Sequence, residues 1–385
     1  MEAKEQESFM IYKTLGKSAA KVSAIGQGCM GIGGYLICDS NNDEKYRYAL
    51  KMGIDLGMTF IDTAEGYGAG HSEELVGEAV RGIRDKVFVA TKVSPENLSY
   101  DSVIKAAEGS LKRLNTDYID LYQIHWPNPS IPILETMKAM ERLIHDGKIR
   151  HIGVSNFSIR EAKETSEALA SHEIDSIQVE YNLFDRTIEE HILQYCEQKN
   201  ITTIAYSPLD QGRVGSGGRQ TKELHSIAEK YNKTIAQITL NWLISHPTVI
   251  AIPKASGEKH VRENAGAADF QLSEEDFKRI SRLFESKYVF VSVDRIKVST
   301  EGEGNRKVYQ TVEDAVANPL GFVPSPSDLA RSLKHGDFLK PVRLIPTKDT
   351  SGQYDYDLIE GRIRYWAWVI AHDGKSPIPA YIRNK

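Results

Sequence analysis

Four residues combine the types and the spacing that carbonyl chemistry needs: Asp62 and Tyr67 in FIDTAEGYG, Lys92 in VFVATK and His125 in LYQIHWP. When hydride reaches a carbonyl carbon, the oxygen must gain a proton. The donor must be neutral and close, with a pKa not far above the working pH. Free tyrosine titrates at about 10, and a neighbouring ammonium favours the phenolate and lowers that value. Lys92, held by an ion pair with Asp62, is therefore expected to bring Tyr67 into range. His125 is expected to donate a hydrogen bond to the carbonyl oxygen and orient it. Singly these residues are ordinary, since a tyrosine after a glycine is usually a loop residue and a lysine at a strand end is usually solvated. In this order, one β/α unit apart, they form a set.

A scaffold must deliver them. Apolar, largely β-branched runs at 24–28, 59–62, 87–91, 119–124, 149–154, 176–180, 202–206 and 249–252 read as eight strands. Amphipathic patterns at 44–56, 73–81, 101–114, 131–145, 159–170, 188–199, 221–231 with 235–245, and 258–267 read as the helices between them, and 274–284 as a last helix. Strands alternating with helices imply parallel pairing. Eight such units predict an α/β protein built on a closed (β/α)8 TIM barrel, with its chemistry at the C-terminal ends of the strands. Asp62, Lys92 and His125 fall there. A short pair at 12–15 and 21–22 predicts an N-terminal hairpin across the barrel's bottom. Beyond residue 285 the pattern changes to strand-like KPVRLIP, YDYDLIE and PIPAYI, with helix-like LARSLKHG and RIRYWAWVIA among GEG and PSPS breaks. The expected division is a barrel over 1–285 and a small C-terminal α+β domain over 286–385.

The 385 residues are 41% hydrophobic and 26% charged, enough for a large core and unlike a disordered chain. A net charge of −5 argues against a general binder of DNA or of membrane surfaces. The N-terminal MEAKEQESFM lacks the apolar stretch of a secretory signal. No run reaches the roughly 18 apolar residues of a membrane span. Cys29, Cys38 and Cys196 show neither CxxC nor zinc spacing. They read as reduced thiols of a cytoplasmic protein, with no metal site.

Residues from about 10 to 285 resemble the aldo-keto reductases. The motifs that carry the resemblance are GQGCMGIGG, FIDTAEGYG, ATK, LYQIHWP, IGVSNF, IQVEYNLF, AYSPL and IPKASGEKHVREN. The family implies a metal-free, NAD(P)H-dependent barrel oxidoreductase whose tetrad is Asp62, Tyr67, Lys92 and His125, with Tyr67 as general acid. It also implies the cofactor contacts. Ser155, Asn156 and Gln178 match the positions that bond the nicotinamide carboxamide, and Tyr206 the aromatic that stacks on the ring. Ser207, Leu209 and Gly212 match the pyrophosphate path. Lys254, Ser256, His260, Glu263 and Asn264 fall in the adenosine-binding stretch. Many NADPH-preferring relatives carry arginine where this chain has His260, and arginine is the better bidentate phosphate ligand. Lys254 is kept. NADPH is the expected cofactor, with NADH the alternative. Met30, Tyr35 and Trp126 are the expected walls of the substrate pocket.

Relatives often close that pocket with a C-terminal tail, which residues 286–385 replace. This unit resembles the ParB-like/sulfiredoxin-like domain in VSVDRIKV, LARSLKHGDFLKPVRLIP and YDLIEGRIRYWAWVIAHDGKSPIPAYI. The resemblance implies a phosphate or nucleotide site at Gly361, Arg362 and Arg364. A helix N-terminus and guanidinium donors suit such a ligand. The absence of a cysteine in this motif excludes sulfiredoxin chemistry.

The sequence thus predicts an oxidoreductase interconverting an aldehyde or ketone, sugar-like or phosphorylated among the options, with its alcohol. Two other readings stand beside it: an NADP(H)-binding redox sensor, and a bifunctional protein whose C-terminal domain binds ATP or another nucleotide. The oligomeric state is not readable.

Overall fold

The computed structural model describes residues 10–215, 219–285, 288–298, 309–350 and 352–383. The N-terminal residues 1–9 and the GEG break at 302–304 lie outside the described residues. Contacts divide the chain into two units that meet between Phe284 and Glu285.

The first unit opens with an antiparallel hairpin, β1 (Tyr12–Thr14) and β2 (Lys21–Ser23). Eight parallel strands follow, each hydrogen-bonded to the next in chain order: β3 (Gln27–Gly28), β4 (Phe60–Asp62), β5 (Phe88–Val93), β6 (Ile119–Ile124), β7 (Ile149–Ser155), β8 (Ser176–Glu180), β9 (Thr202–Tyr206) and β10 (Val249–Ala251). The first and last strands close on each other. Gly26 N–H donates to Ala251 O at 2.8 Å, and Ala251 N–H to Ala24 O at 2.9 Å. The seam is tight enough that a Cβ at Gly28 would lie 2.6 Å from Ile252 O. Residues 24–26 give their backbone groups to this seam, so the strand expected over 24–28 is reduced to two residues.

Side chains alternate across each strand. Phe60, Ala90 and Leu121 point into the barrel, where they share a cluster with Ile204, Ile250 and the hairpin's Leu15 and Val22. All seven are fully buried. Two residues further on, the same parity turns Asp62, Lys92 and Gln123 inward one layer higher, toward the C-terminal ends. Register fixes their neighbours: Asp62 pairs with Ala90, Lys92 with Gln123, and Ser155 with Gln178. The outward parity packs against helices such as Tyr100–Leu114 and Ile133–His145, around Tyr122, Ile152, Met137 and Met140.

One expected helix differs. The stretch 188–199 is a 3-10 turn over Thr187–Glu190 and a separate helix over Ile192–Lys199, because His191 takes φ −138°, ψ −80°. Glu189 in that turn is held by Tyr181 and by Arg186, each at 2.7 Å, which anchors the turn apart from the helix.

The second unit has its own five-stranded mixed sheet, β11 (Val289–Val291), β12 (Ile296–Val298), β13 (Val342–Pro346), β14 (Tyr356–Glu360) and β15 (Ile378–Ile382), ordered β11-β15-β13-β14-β12. Helices Val312–Ala317, Pro326–Lys334 and Arg362–His372 accompany it. Its separate core gathers Ile296, Leu344, Leu358, Tyr365, Trp366 and Ile378. Among the described residues no helix is long and apolar enough to cross a membrane.

Candidate active site

The inward layer at the strand ends forms one buried polar network. Lys92, fully buried, donates to Asp62 Oδ1 at 2.5 Å and to Thr63 O at 2.8 Å, and its Nζ lies 3.4 Å from the Tyr67 hydroxyl. The second Asp62 oxygen accepts the amide N–H of Gln178 at 2.7 Å and of Gln123 at 3.1 Å. His125 follows β6, and its ring meets that of Tyr67 edge-on with centroids 5.5 Å apart. All four residues expected from the sequence therefore stand together. Gln123 was not foreseen. The signal for it lay in strand parity, since it sits two residues before His125 on the same face.

Electrostatics follow from this burial. The Lys92 ammonium is disfavoured by desolvation, but Asp62 and Tyr67 outweigh that and its pKa lies above the ordinary value. Burial, with Lys92 adding to it, lowers His125 to about 3, so its imidazole is neutral at physiological pH and donates through one N–H. Tyr67 departs from expectation. Burial pushes its phenol above the ordinary value, and Asp62 adds to that push. Lys92 pulls the other way and does not overcome it. Desolvation, which residue spacing does not reveal, outweighs the ammonium here. The outcome is a phenol that keeps its proton at physiological pH.

The residues matched to a cofactor line the ends of β7 to β10. Ser155 ends β7, and Asn156 follows in the left-handed region at φ 63°. The Asn156 side chain is engaged: its amide donates to His125 O at 3.1 Å and Ser155 Oγ at 3.0 Å, and its carbonyl accepts from the Tyr206 hydroxyl at 2.9 Å. Tyr206 is thereby fixed in orientation. Gln178, buried at the end of β8, gives its N–H to Asp62 at 2.7 Å and lies 3.4 Å from Gln123 Oε1. Ser207 has φ 49° and receives Asn182 on its carbonyl; half-buried Leu209 and Gly212, at φ 88° with open space beside it, follow. Lys254 is exposed, and its Nζ lies 3.2 Å from where a Cβ at Gly31 would stand. Partial desolvation of its ammonium, with the nearby Lys45, lowers its pKa. Ser256 is half-buried and Asn264 buried. His260 pairs with Glu263 at 3.1 Å, and Glu258 with Arg262 at 3.0 Å. This set suits a nicotinamide dinucleotide: buried polar side chains for an amide, a fixed aromatic, open backbone and a cation. Among the described residues no group of three or more His, Cys, Asp or Glu side chains is placed to hold a metal ion.

Met30, Tyr35 and Trp126 are 55%, 61% and 40% exposed, so these large apolar side chains face open space. In the second unit, Gly361 caps the helix Arg362–His372 at φ 94°. Arg364 turns back, donating to Lys340 O and Pro341 O at 2.9 Å and pairing with Glu360 at 3.4 Å. Arg362 reaches Leu358 O and Ile359 O at 3.4 Å. Buried Arg343 also pairs with Glu360, and Arg383 stands 3.9 Å from it.

The fold and the network define a parallel β/α barrel with a buried Lys–Asp pair beside a tyrosine and a neutral histidine. Residues 24–285 match the Aldo/keto reductase family. The methylglyoxal reductase YeaE of Escherichia coli is 41% identical over 262 residues, covering 68% of this chain and 90% of that protein. The glyoxal reductase of Bacillus subtilis is 36% identical over 258 residues, covering 66% and 89%. An aldo/keto reductase from Klebsiella pneumoniae, solved with NADP and acetate, is 40% identical with a TM-score of 0.66, covering 71% of this chain and 96% of that one. The chain belongs to the aldo/keto reductase family and is an oxidoreductase. The family match ends where the second unit begins.

Proposed function

We propose that the protein is an NADPH-dependent reductase of small α-oxoaldehydes such as methylglyoxal. The observation that carries this is the convergence of Lys92, Asp62, Tyr67 and His125 within one buried layer of the barrel. When bound, the nicotinamide supplies the hydride. Tyr67 holds the proton and hands it to the carbonyl oxygen. Lys92, fixed by Asp62, stabilises the phenolate left behind, and neutral His125 donates to the same oxygen. Ser155, Asn156, Gln178 and Tyr206 would hold the nicotinamide end, and Lys254 with its neighbours the adenosine end. The α-oxoaldehyde class is supported by the names of two relatives. The test is steady-state NADPH oxidation by the full chain with methylglyoxal, glyoxal, aldoses and sugar phosphates. Turnover highest on the dicarbonyls supports the reading; a preference for sugars or their phosphates overturns the substrate class.

The preference for NADPH rests on Lys254. A charged hydrogen bond is worth about 1.5–3 kcal/mol, so Lys254→Ala should weaken NADPH by that scale and NADH by far less. His260→Arg should favour NADPH further. Equal losses of affinity for the two cofactors would show that Lys254 does not meet the 2′-phosphate.

The likeness of residues 286–385 to ParB-like/sulfiredoxin-like domains remains part of this proposal. Arg343, Arg364 and Arg383 gather about Glu360 beside the start of the helix Arg362–His372, and guanidinium groups at a helix start suit an anionic ligand. Calorimetric titration of ATP into the NADPH-saturated full chain should give a second binding event; its absence removes the nucleotide reading.

A further inference from the structure

We propose that Arg113 and Glu73 are a positioning pair for Tyr67, clamping the strained loop that aims its phenol; the inference rests on Tyr67 being the proton donor. Tyr67 is followed by Gly68, Ala69 and Gly70, all with positive φ at 58°, 54° and 96°. The glycines take positive φ freely, but Ala69, inside this kinked 3-10 turn, holds a left-handed conformation that a residue with a Cβ keeps only where its surroundings impose it.

Two neighbours impose it. On one side Gly68 donates its N–H to Tyr35 O at 2.7 Å and presses on Gly33, whose carbonyl oxygen would lie 2.2 Å from a Cβ at position 68. On the other side Gly70 rests on the Arg113 side chain, where an added Cβ would come within 2.6 Å of Cδ and 2.8 Å of Nε. Arg113 comes from the last turn of the helix Tyr100–Leu114. Its Nε donates to Glu73 Oε2 at 2.6 Å. Glu73 is fully buried, and its other oxygen accepts the Thr91 hydroxyl at 2.5 Å, one residue before Lys92. Glu65 stands on the other flank of Tyr67. Its Oε2 lies 4.0 Å from the Arg113 guanidinium, while its Oε1 accepts from Ser94 N–H at 2.7 Å and Asn97 at 2.9 Å.

Carboxylates on both sides of Tyr67 therefore converge on one guanidinium, which is also tied to the strand that carries Lys92. A buried ion pair offers little net stability over apolar packing. What this one does fix is the place of the backbone at 65–73 relative to β5, and so the spacing between the Tyr67 hydroxyl and Lys92. Arg113 and Glu73 act through Tyr67 and touch neither substrate nor cofactor in this account.

The test compares Arg113→Met, Glu73→Gln and Arg113→Lys in the full-length protein, with methylglyoxal and NADPH. Reduction by Arg113→Met and Glu73→Gln should fall in kcat by roughly 10- to 100-fold, the scale of an ångström-size misplacement. NADPH affinity and KM should hold, because the cofactor groups lie on β7 to β10. NADPH titration counts the folded, binding-competent fraction, so kcat is expressed per binding site. The alkaline limb of the kcat profile should shift in both variants, since a displaced phenol changes both its burial and its distance from Lys92. Arg113→Lys should recover part of the rate. Native kcat per binding site in the two variants, or a loss with the pH limb unmoved and no recovery by lysine, overturns the proposal. If Tyr67→Phe is inactive while the Arg113 and Glu73 variants are native, only the positioning inference fails. If Tyr67→Phe is itself active, the assignment of the donor fails.

Discussion

Tyr67→Phe is expected to bind NADPH as the native protein does and to lose carbonyl reduction by about 10²–10⁴ in rate, the usual contribution of a general acid. The substitution removes one oxygen. The ring that meets His125 edge-on remains, and so does its apolar packing. The groups matched to the cofactor are on other strands, and Asn156 and Tyr206 are fixed by each other rather than by Tyr67. Burial holds the phenol above its ordinary pKa, so at physiological pH the native site stores the proton that phenylalanine lacks. Fluorescence titration with NADPH, beside steady-state rates on methylglyoxal, separates the two effects. Near-native reduction by the variant would remove Tyr67 from the role.

Lys92→Met is expected to cost both rate and stability. Lys92 is fully buried and donates to Asp62, itself nearly so. Breaking a buried pair by removing one partner typically costs about 3–5 kcal/mol, because the remaining charge stays uncompensated. Gln123 and Gln178 still donate to the second Asp62 oxygen, which places the loss toward the lower end. The linkage has a definite sign. The folded pKa of Lys92 is raised above 10.5, so the stability its charge brings is complete below that value and is lost as pH rises through the folded pKa. The native protein should therefore lose this contribution only in strong alkali, and Lys92→Met should lack that alkaline component. Chemical denaturation at neutral and alkaline pH measures it. Reduction should fall as well, since Lys92 is the cation beside the Tyr67 hydroxyl that would stabilise its phenolate. An unchanged denaturation midpoint would show that the pair does not carry its charge in the folded state.

Much of the barrel was legible because its strands are fully buried runs of β-branched residues with turn signals between them. The limits read for β6, β8 and β9 coincide with the observed ones. The seam at 24–26 was not legible, since whether a strand pairs along its length or only bridges its neighbour depends on closure and not on composition. The split at His191 was hidden for a similar reason: the apolar spacing of 188–199 is continuous, and the break comes from Glu189 being held by Tyr181 and Arg186, far and near in sequence. The short helix Val312–Ala317, capped by Thr311, carries too few residues for a periodic signal. In the site, residue types and parity located Asp62, Lys92 and His125. The left-handed run after Tyr67 and the direction of its pKa were beyond the sequence, because both depend on how deeply neighbouring elements enclose the phenol.

The most direct measurement of the central claim is transfer of label from the cofactor. Purified full-length protein is given NADPH deuterated at the transferable C4 position together with methylglyoxal, and the alcohol is analysed by mass spectrometry and NMR. The account predicts one deuterium on the new carbinol carbon of the product, a hydroxyl proton drawn from solvent by way of Tyr67, and transfer slowed by about 10²–10⁴ with Tyr67→Phe. Consumption of NADPH without deuterium in the alcohol, or no consumption with any carbonyl compound offered, would contradict it.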